Sequence, residues 1–102
     1  MIYYNKLVRD KIPEMIAAQG EKAIIRVMED HEYIAALEKK LDEEVAEYHE
    51  SKEIEELSDI LEVIYALCDI HGHSVDELMA AYEKKHVQRG GFAKKLFLVG
   101  KE

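Results

Sequence analysis

The sequence predicts one all-α domain spanning residues 1–102: an antiparallel helical hairpin plus flanking helices, with a second subunit expected over any apolar face left uncovered. Three observations support this. Helix-favouring Ala, Leu, Glu and Lys are abundant, whereas proline occurs once and glycine five times. Apolar residues recur at steps of three and four through two long segments. A domain this short buries only about two-thirds of its unfolded surface, so a wide apolar face left over calls for a second subunit.

The elements follow in order. Tyr4 to Lys11 is irregular and carries Lys6, Arg9, Asp10 and Lys11; Pro13 then suits the first turn of a short helix that Gly20 ends. Ala23 to Met28 reads AIIRVM, a β-branched run that makes a candidate strand, with Lys95 to Val99 as its candidate partner in a minor β-hairpin. Asp30 is expected to cap a helix reaching Glu50, where Ser51 and Lys52 break the pattern. A second long helix is expected from Glu53 to near Gly72, a residue suited to a left-handed C-terminal turn. Ser74, Val75, Asp76 and Glu77 match the capping box S-x-x-E, so a helix starts at Val75 and continues to about Gln88 before Gly90 and Gly91 stop it. Repeats, low-complexity tracts and interdomain linkers are absent from the sequence.

A net charge of -8 disfavours a nucleic acid polymer as partner, because gripping a phosphate backbone takes a basic face. A single nucleotide stays compatible if cations stand between carboxylates and phosphates. Cys68 is the sole cysteine, which excludes an intrachain disulfide and suits a reducing cytoplasm; its neighbours Ala66, Leu67 and Ile70 mark it as a core residue. No apolar run approaches the roughly 20 residues of a membrane helix, and the polar start Tyr3, Tyr4, Asn5, Lys6 is not a signal peptide. A soluble, cytoplasmic protein without a membrane partner is the expectation.

The chemistry lies in acids placed on apolar seams. On the first long helix Ile34, Leu37, Leu41, Val45 and Tyr48 draw one stripe, and at about 100° per residue Glu44 falls inside it, Glu47 on its shoulder and Glu43 further round. On the second, Leu57, Ile60, Leu61, Val63, Ile64, Leu67 and Cys68 fill the arc that also holds Glu56, with Asp59 at its edge. If Ser51 marks the hairpin turn, Glu44 and Glu47 lie about 6 to 11 Å before it, and Glu56 and Asp59 about 8 to 12 Å after it. All four acids should therefore meet at one level. Carboxylates gathered in a partly dry site repel one another unless a divalent cation joins them, and an all-oxygen ligand set suits Mg²⁺ first and Mn²⁺ second. The competing reading is a solvated acidic face paired with Lys39, Lys40 and Lys52.

The strings EEVAE at Glu43 to Glu47 and ELSD at Glu56 to Asp59 resemble the EExxE and ExxD signature of the MazG-like all-α nucleoside triphosphate pyrophosphohydrolases. The opening YNKLVRDKIPE, Tyr4 to Glu14, and the closing KKHVQRGGF, Lys84 to Phe92, resemble the branch described as house-cleaning or phosphoribosyl-ATP pyrophosphohydrolase-like. The resemblance implies Glu44, Glu47, Glu56 and Asp59 as metal ligands, Glu43 or Glu47 as the base or water-orienting residue, and a four-helix bundle completed by dimerisation, as a homodimer or dimer of dimers. It implies Mg²⁺-dependent attack of water on the α-phosphorus of a nucleotide, with pyrophosphate leaving. Lys85 and Arg89, four apart on the last helix, and Lys6, Arg9 and Lys11 from the N-terminal segment are candidate phosphate-binding residues. Glu83 stands where better-studied MazG relatives carry asparagine, a departure that leaves the nucleotide's identity open.

The remaining motifs are weaker. His71 and His73 flank Gly72 at a helix end, where imidazolium interacts favourably with carbonyls. Glu83 and His86 form a single E-x-x-H, whereas di-iron bundles need two. There is no P-loop, and each tyrosine is read by default as a packing residue, with stacking of one on a base as the alternative. Hydrolysis of phosphoribosyl-ATP is the alternative within the same chemistry. A non-catalytic helical dimer acting as an interaction module is the alternative from another class.

Overall fold

The computed structural model describes residues 1–102 and is all-helical, in the order α1 (Ile12–Ala18), α2 (Asp30–Ser51), α3 (Ile54–Ile70) and α4 (Val75–Arg89). Pro13 sits in the first turn of α1, and Gly20, at φ +83°, turns the chain away after it. α2 begins one residue earlier than the sequence suggests: Glu29 is its N-cap, with extended backbone and no side-chain cap bond, so Asp30 is not the cap. Asp30 is instead the first helical residue, where its charge complements the exposed amides of the first turn.

Lys52 ends α2 in the left-handed conformation, at φ 60°, with its N–H donating to the Tyr48 carbonyl. The Glu53 N–H donates to Ser51 Oγ at 3.2 Å. So short a connection returns α3 antiparallel along α2, and these two helices form the main packed unit. After Gly72, the capping box predicted for α4 is present: Ser74 Oγ accepts from the Glu77 N–H at 3.1 Å, and the Ser74 N–H donates to Glu77 Oε1 at 3.4 Å. The His73 ring does not cap α3: its Nδ1 lies 3.1 Å from Glu77 Oε2, at the start of α4, while the His73 backbone N–H donates to the Cys68 carbonyl and closes the end of α3.

The expected β-hairpin does not form, since neither Ala23–Met28 nor Lys95–Val99 is a strand. A β-branched run becomes a strand only where packing and a ladder partner hold it, and here Ile24, Ile25, Val27 and Leu96 to Val99 are all exposed. Cys68 is half-buried rather than sealed in a core.

Only Leu37, Val63 and Glu44 are buried. The single chain exposes 9413 Å², against the ~5,900 Å² expected for a folded monomer of this length. Its radius of gyration is 18.2 Å, where a compact domain of this length has about 13 Å. Ile54, Leu57 and Leu61 form an uncovered stripe on α3, while α4 contacts only α3 among the helices and leaves Met79, Tyr82 and Val87 exposed. No helix is long and apolar enough to cross a membrane.

Candidate metal centre

The short turn after α2 fixes the height of the acids, and their seam positions fix their direction. One carboxylate oxygen from each of Glu44, Glu47, Glu56 and Asp59 lies within 4.8 Å of the other three. Burial falls across the group: Glu44 is 6% exposed, Glu56 and Asp59 are half-buried, and Glu47 opens to solvent. α2 and α3 each supply two of the four.

Two oxygens stand out. Glu44 Oε2 and Glu56 Oε2 are buried without any hydrogen-bond partner, a costly state for charged acceptors. Glu44 Oε1 has one cation in reach, Lys40 Nζ at 3.4 Å, one helical turn back. Burial, reinforced by the neighbouring Glu47 carboxylate, pushes the Glu44 carboxyl above its usual range, and Lys40 opposes that shift only in part. Hard, oxygen-preferring Mg²⁺ or Mn²⁺ fits this donor set, because it would engage the orphaned oxygens and relieve the crowding of like charges.

Arg9 closes the outer side. Its Nη2 donates to Asp59 Oδ1 at 2.7 Å, and its Nη1 lies 3.8 Å from Glu62 Oε1. The irregular N-terminal segment is thereby tied across the hairpin at the level of the acids. Between segment and hairpin lies a cavity of about 570 Å³ that reaches both Glu44 and Asp59. Lys6, Arg9 and Lys40 contribute its cations. A second recess, of about 490 Å³, surrounds the exposed Arg26–Glu32 ion pair and contains none of the four acids.

The other sequence candidates are placed differently. Glu43 is exposed on α2 and is not one of the four converging acids. Lys11 is exposed and lines neither cavity. Lys85 and Arg89 are exposed on α4, do not line the cavity, and form no ion pair within the chain. Lys40, named from the sequence only as a partner in the solvated-face reading, pairs with Glu44 at i,i+4 spacing inside the site and lines the cavity. The cavity-lining roles of Tyr33, Glu62 and Asp69 carry no periodic signature of their own.

No protein-family model matches the chain, and no solved structure gives a significant match. A protein of Mycolicibacterium smegmatis described as uncharacterized is 62% identical over 42 residues, which are 41% of this chain and 43% of that protein. The matched part thus spans less than half the length of that relative.

Proposed function

We propose that the chain is a MazG-like, Mg²⁺-dependent pyrophosphohydrolase that cleaves a nucleoside triphosphate to the monophosphate and pyrophosphate, acting on the cytoplasmic nucleotide pool. The observation that carries this reading is the pair of buried, partnerless oxygens, Glu44 Oε2 and Glu56 Oε2, inside a group of four acids within 4.8 Å. Such an arrangement is expensive for a structural protein and useful to one that takes a divalent cation.

Glu44, Glu47, Glu56 and Asp59 would hold the metal, and Mg²⁺ bound there supplies charge neutralisation and makes water more acidic. The solvent-facing Glu47 accepts the proton of the attacking water, with Glu43 beside it on α2 as the outer alternative. Oxygen of that water bonds to the α-phosphorus, the bond to the α–β bridging oxygen breaks, and pyrophosphate leaves. Arg9, Lys6 and Lys40 face the cavity and hold phosphate oxygens, Arg9 with the two-pronged geometry a phosphate favours.

The protein works as a homodimer in this reading, supported by the excess exposed surface and the uncovered stripe Ile54, Leu57 and Leu61. Lys85 and Arg89 then serve the site of a second copy. A single free cysteine accords with a reducing cytoplasm.

The test is pyrophosphate release from a panel of standard, deoxy and damaged nucleoside triphosphates beside phosphoribosyl-ATP, with Mg²⁺ varied. Turnover that requires Mg²⁺ and disappears in Glu44→Gln is the expected result. Preference for phosphoribosyl-ATP would move the enzyme into histidine biosynthesis. No release from any member, together with a melting temperature insensitive to millimolar Mg²⁺, would leave a non-catalytic helical module.

A further inference from the structure

The cavity under the N-terminal segment extends well beyond the acids, and its two ends differ in chemistry. Along α3 its lining runs from Asp59 to Asp69, and along α2 from Glu44 back to Tyr33. At 1.5 Å per residue each run covers about 15 Å. The hairpin is antiparallel, so Glu44 and Asp59 mark one end and Tyr33 and Asp69 the other. That length accommodates a metal ion, a phosphate and a nucleoside laid end to end.

The middle is apolar: Leu7 and Val8 from the segment face Leu37, Val63 and Ala66 of the hairpin. A sugar and the faces of a base suit such walls, and a volume of about 570 Å³ is of ligand size. The acid end carries the cations Arg9 and Lys40, each already within 3.4 Å of a carboxylate oxygen. At the far end Tyr33 is joined by Asp10 of the segment and Asp69 of α3. Burial and then the charges of Asp10 and Asp69 raise the Tyr33 phenol above its usual range, which places both carboxylates within electrostatic reach of it. Ionised carboxylates only accept hydrogen bonds, so this end asks for N–H donors.

We propose that this cavity binds the nucleoside of the substrate and that Asp10, Asp69 and Tyr33 select a base bearing an exocyclic amine over its keto counterpart. The inference rests on the nucleotide reading above, but it concerns a different end of the cavity. Uracil and thymine turn carbonyl oxygens toward the two carboxylates and are rejected by acceptor–acceptor repulsion. Hypoxanthine differs from guanine only in lacking the 2-amino group, which makes it the reference for purines.

The experiment is equilibrium binding by calorimetry, in Mg²⁺, of four nucleoside monophosphates read as two comparisons: guanosine and adenosine against inosine monophosphate, and cytidine against uridine monophosphate. At least one amino-bearing member is expected to bind about tenfold more tightly than its reference. In Asp69→Asn combined with Asp10→Asn, checked for an unchanged helical spectrum, that ratio should fall to about one, while Ala66→Trp should weaken all four by filling the cavity. Ratios within about twofold in the native protein, a ratio that survives the double substitution, or binding unaffected by Ala66→Trp would each overturn the proposal. Pyrophosphate release from the matching triphosphates is measured alongside. Selective binding without release leaves the base pocket standing and sinks the hydrolase; release without base selectivity does the reverse.

Discussion

The α2–α3 hairpin and α4 use glutamate in opposite ways. On α2, Glu44 sits 6% exposed beside other carboxylates, with one oxygen partnerless and its carboxyl pushed up by burial and then by Glu47. On α4, Glu77 is exposed and fully engaged, and the His73 ring followed by the Ser74 amide holds its carboxyl below the usual range. Glu77 makes its helix start where it does; Glu44 makes its helix less comfortable. The contrast separates an acid that serves folding from one whose placement runs against folding, and the second kind marks where a ligand is wanted.

Breaking that contrast at its strong end gives the largest expected effect. Glu44→Gln or Asp59→Asn should reduce pyrophosphate release by roughly 10³-fold, about 4 kcal/mol of barrier, and abolish any rise in melting temperature with Mg²⁺. Steady-state kinetics and a melt with and without the ion check both. A Glu44→Gln protein with undiminished Mg²⁺-dependent turnover would remove Glu44 from the site.

The next effect tests the uncovered surface. Leu57→Glu with Leu61→Glu should convert a dimer into monomers in size-exclusion chromatography with light scattering. In the unsubstituted protein the melting temperature should rise with protein concentration, as mass action requires of a coupled assembly. A concentration-independent melt and an unchanged monomeric mass would show that one copy suffices.

Smaller effects distinguish the two glutamates as folding elements. Glu44→Gln without metal should raise the melting temperature near neutral pH, by about 4–8 °C if relief is near 1 kcal/mol. The sign follows from linkage: with its folded-state pKa raised, Glu44 adds stability that is fully present below its unfolded pKa and lost as pH rises through the folded value, so at neutral pH the ionised group is a burden. Ser74→Ala should lower stability by about 1 kcal/mol through loss of the cap, read by denaturant unfolding. Glu77 behaves oppositely to Glu44: its depressed pKa contributes stability above the unfolded value, lost as pH falls through the folded one. Glu77→Gln should flatten that acid limb of the stability profile, the weakest of these effects because the group is solvent-exposed.

What could be read from the sequence divides along the same line. The hairpin and the convergence of Glu44, Glu47, Glu56 and Asp59 follow from helical periodicity and a countable distance from the turn, so residue spacing alone implies them. The capping box of α4 is equally local. The two candidate strands misled because a β-branched run specifies extended backbone but not a partner, and none is present. Arg9 on Asp59 lay beyond spacing arguments, since fifty residues separate them and the segment carrying Arg9 has no periodicity to aim it. The cavity was hidden for the same reason: the wall facing the hairpin, Lys6 to Asp10, is irregular chain.

The turn at Ser51–Glu53 acts as a ruler. Glu44 and Glu47 are numbered backward from it and Glu56 and Asp59 forward, so its length sets the height at which the two pairs meet. Inserting a single residue there would shift the side chains of α3 by about 1.5 Å and rotate its faces by about 100° if the inserted residue joined the helix and the helix kept its axis. The chain would keep its apolar content and helices, yet Glu56 would swing out of the group. The function proposed for this protein therefore depends on loop length as well as on the identity of its ligands.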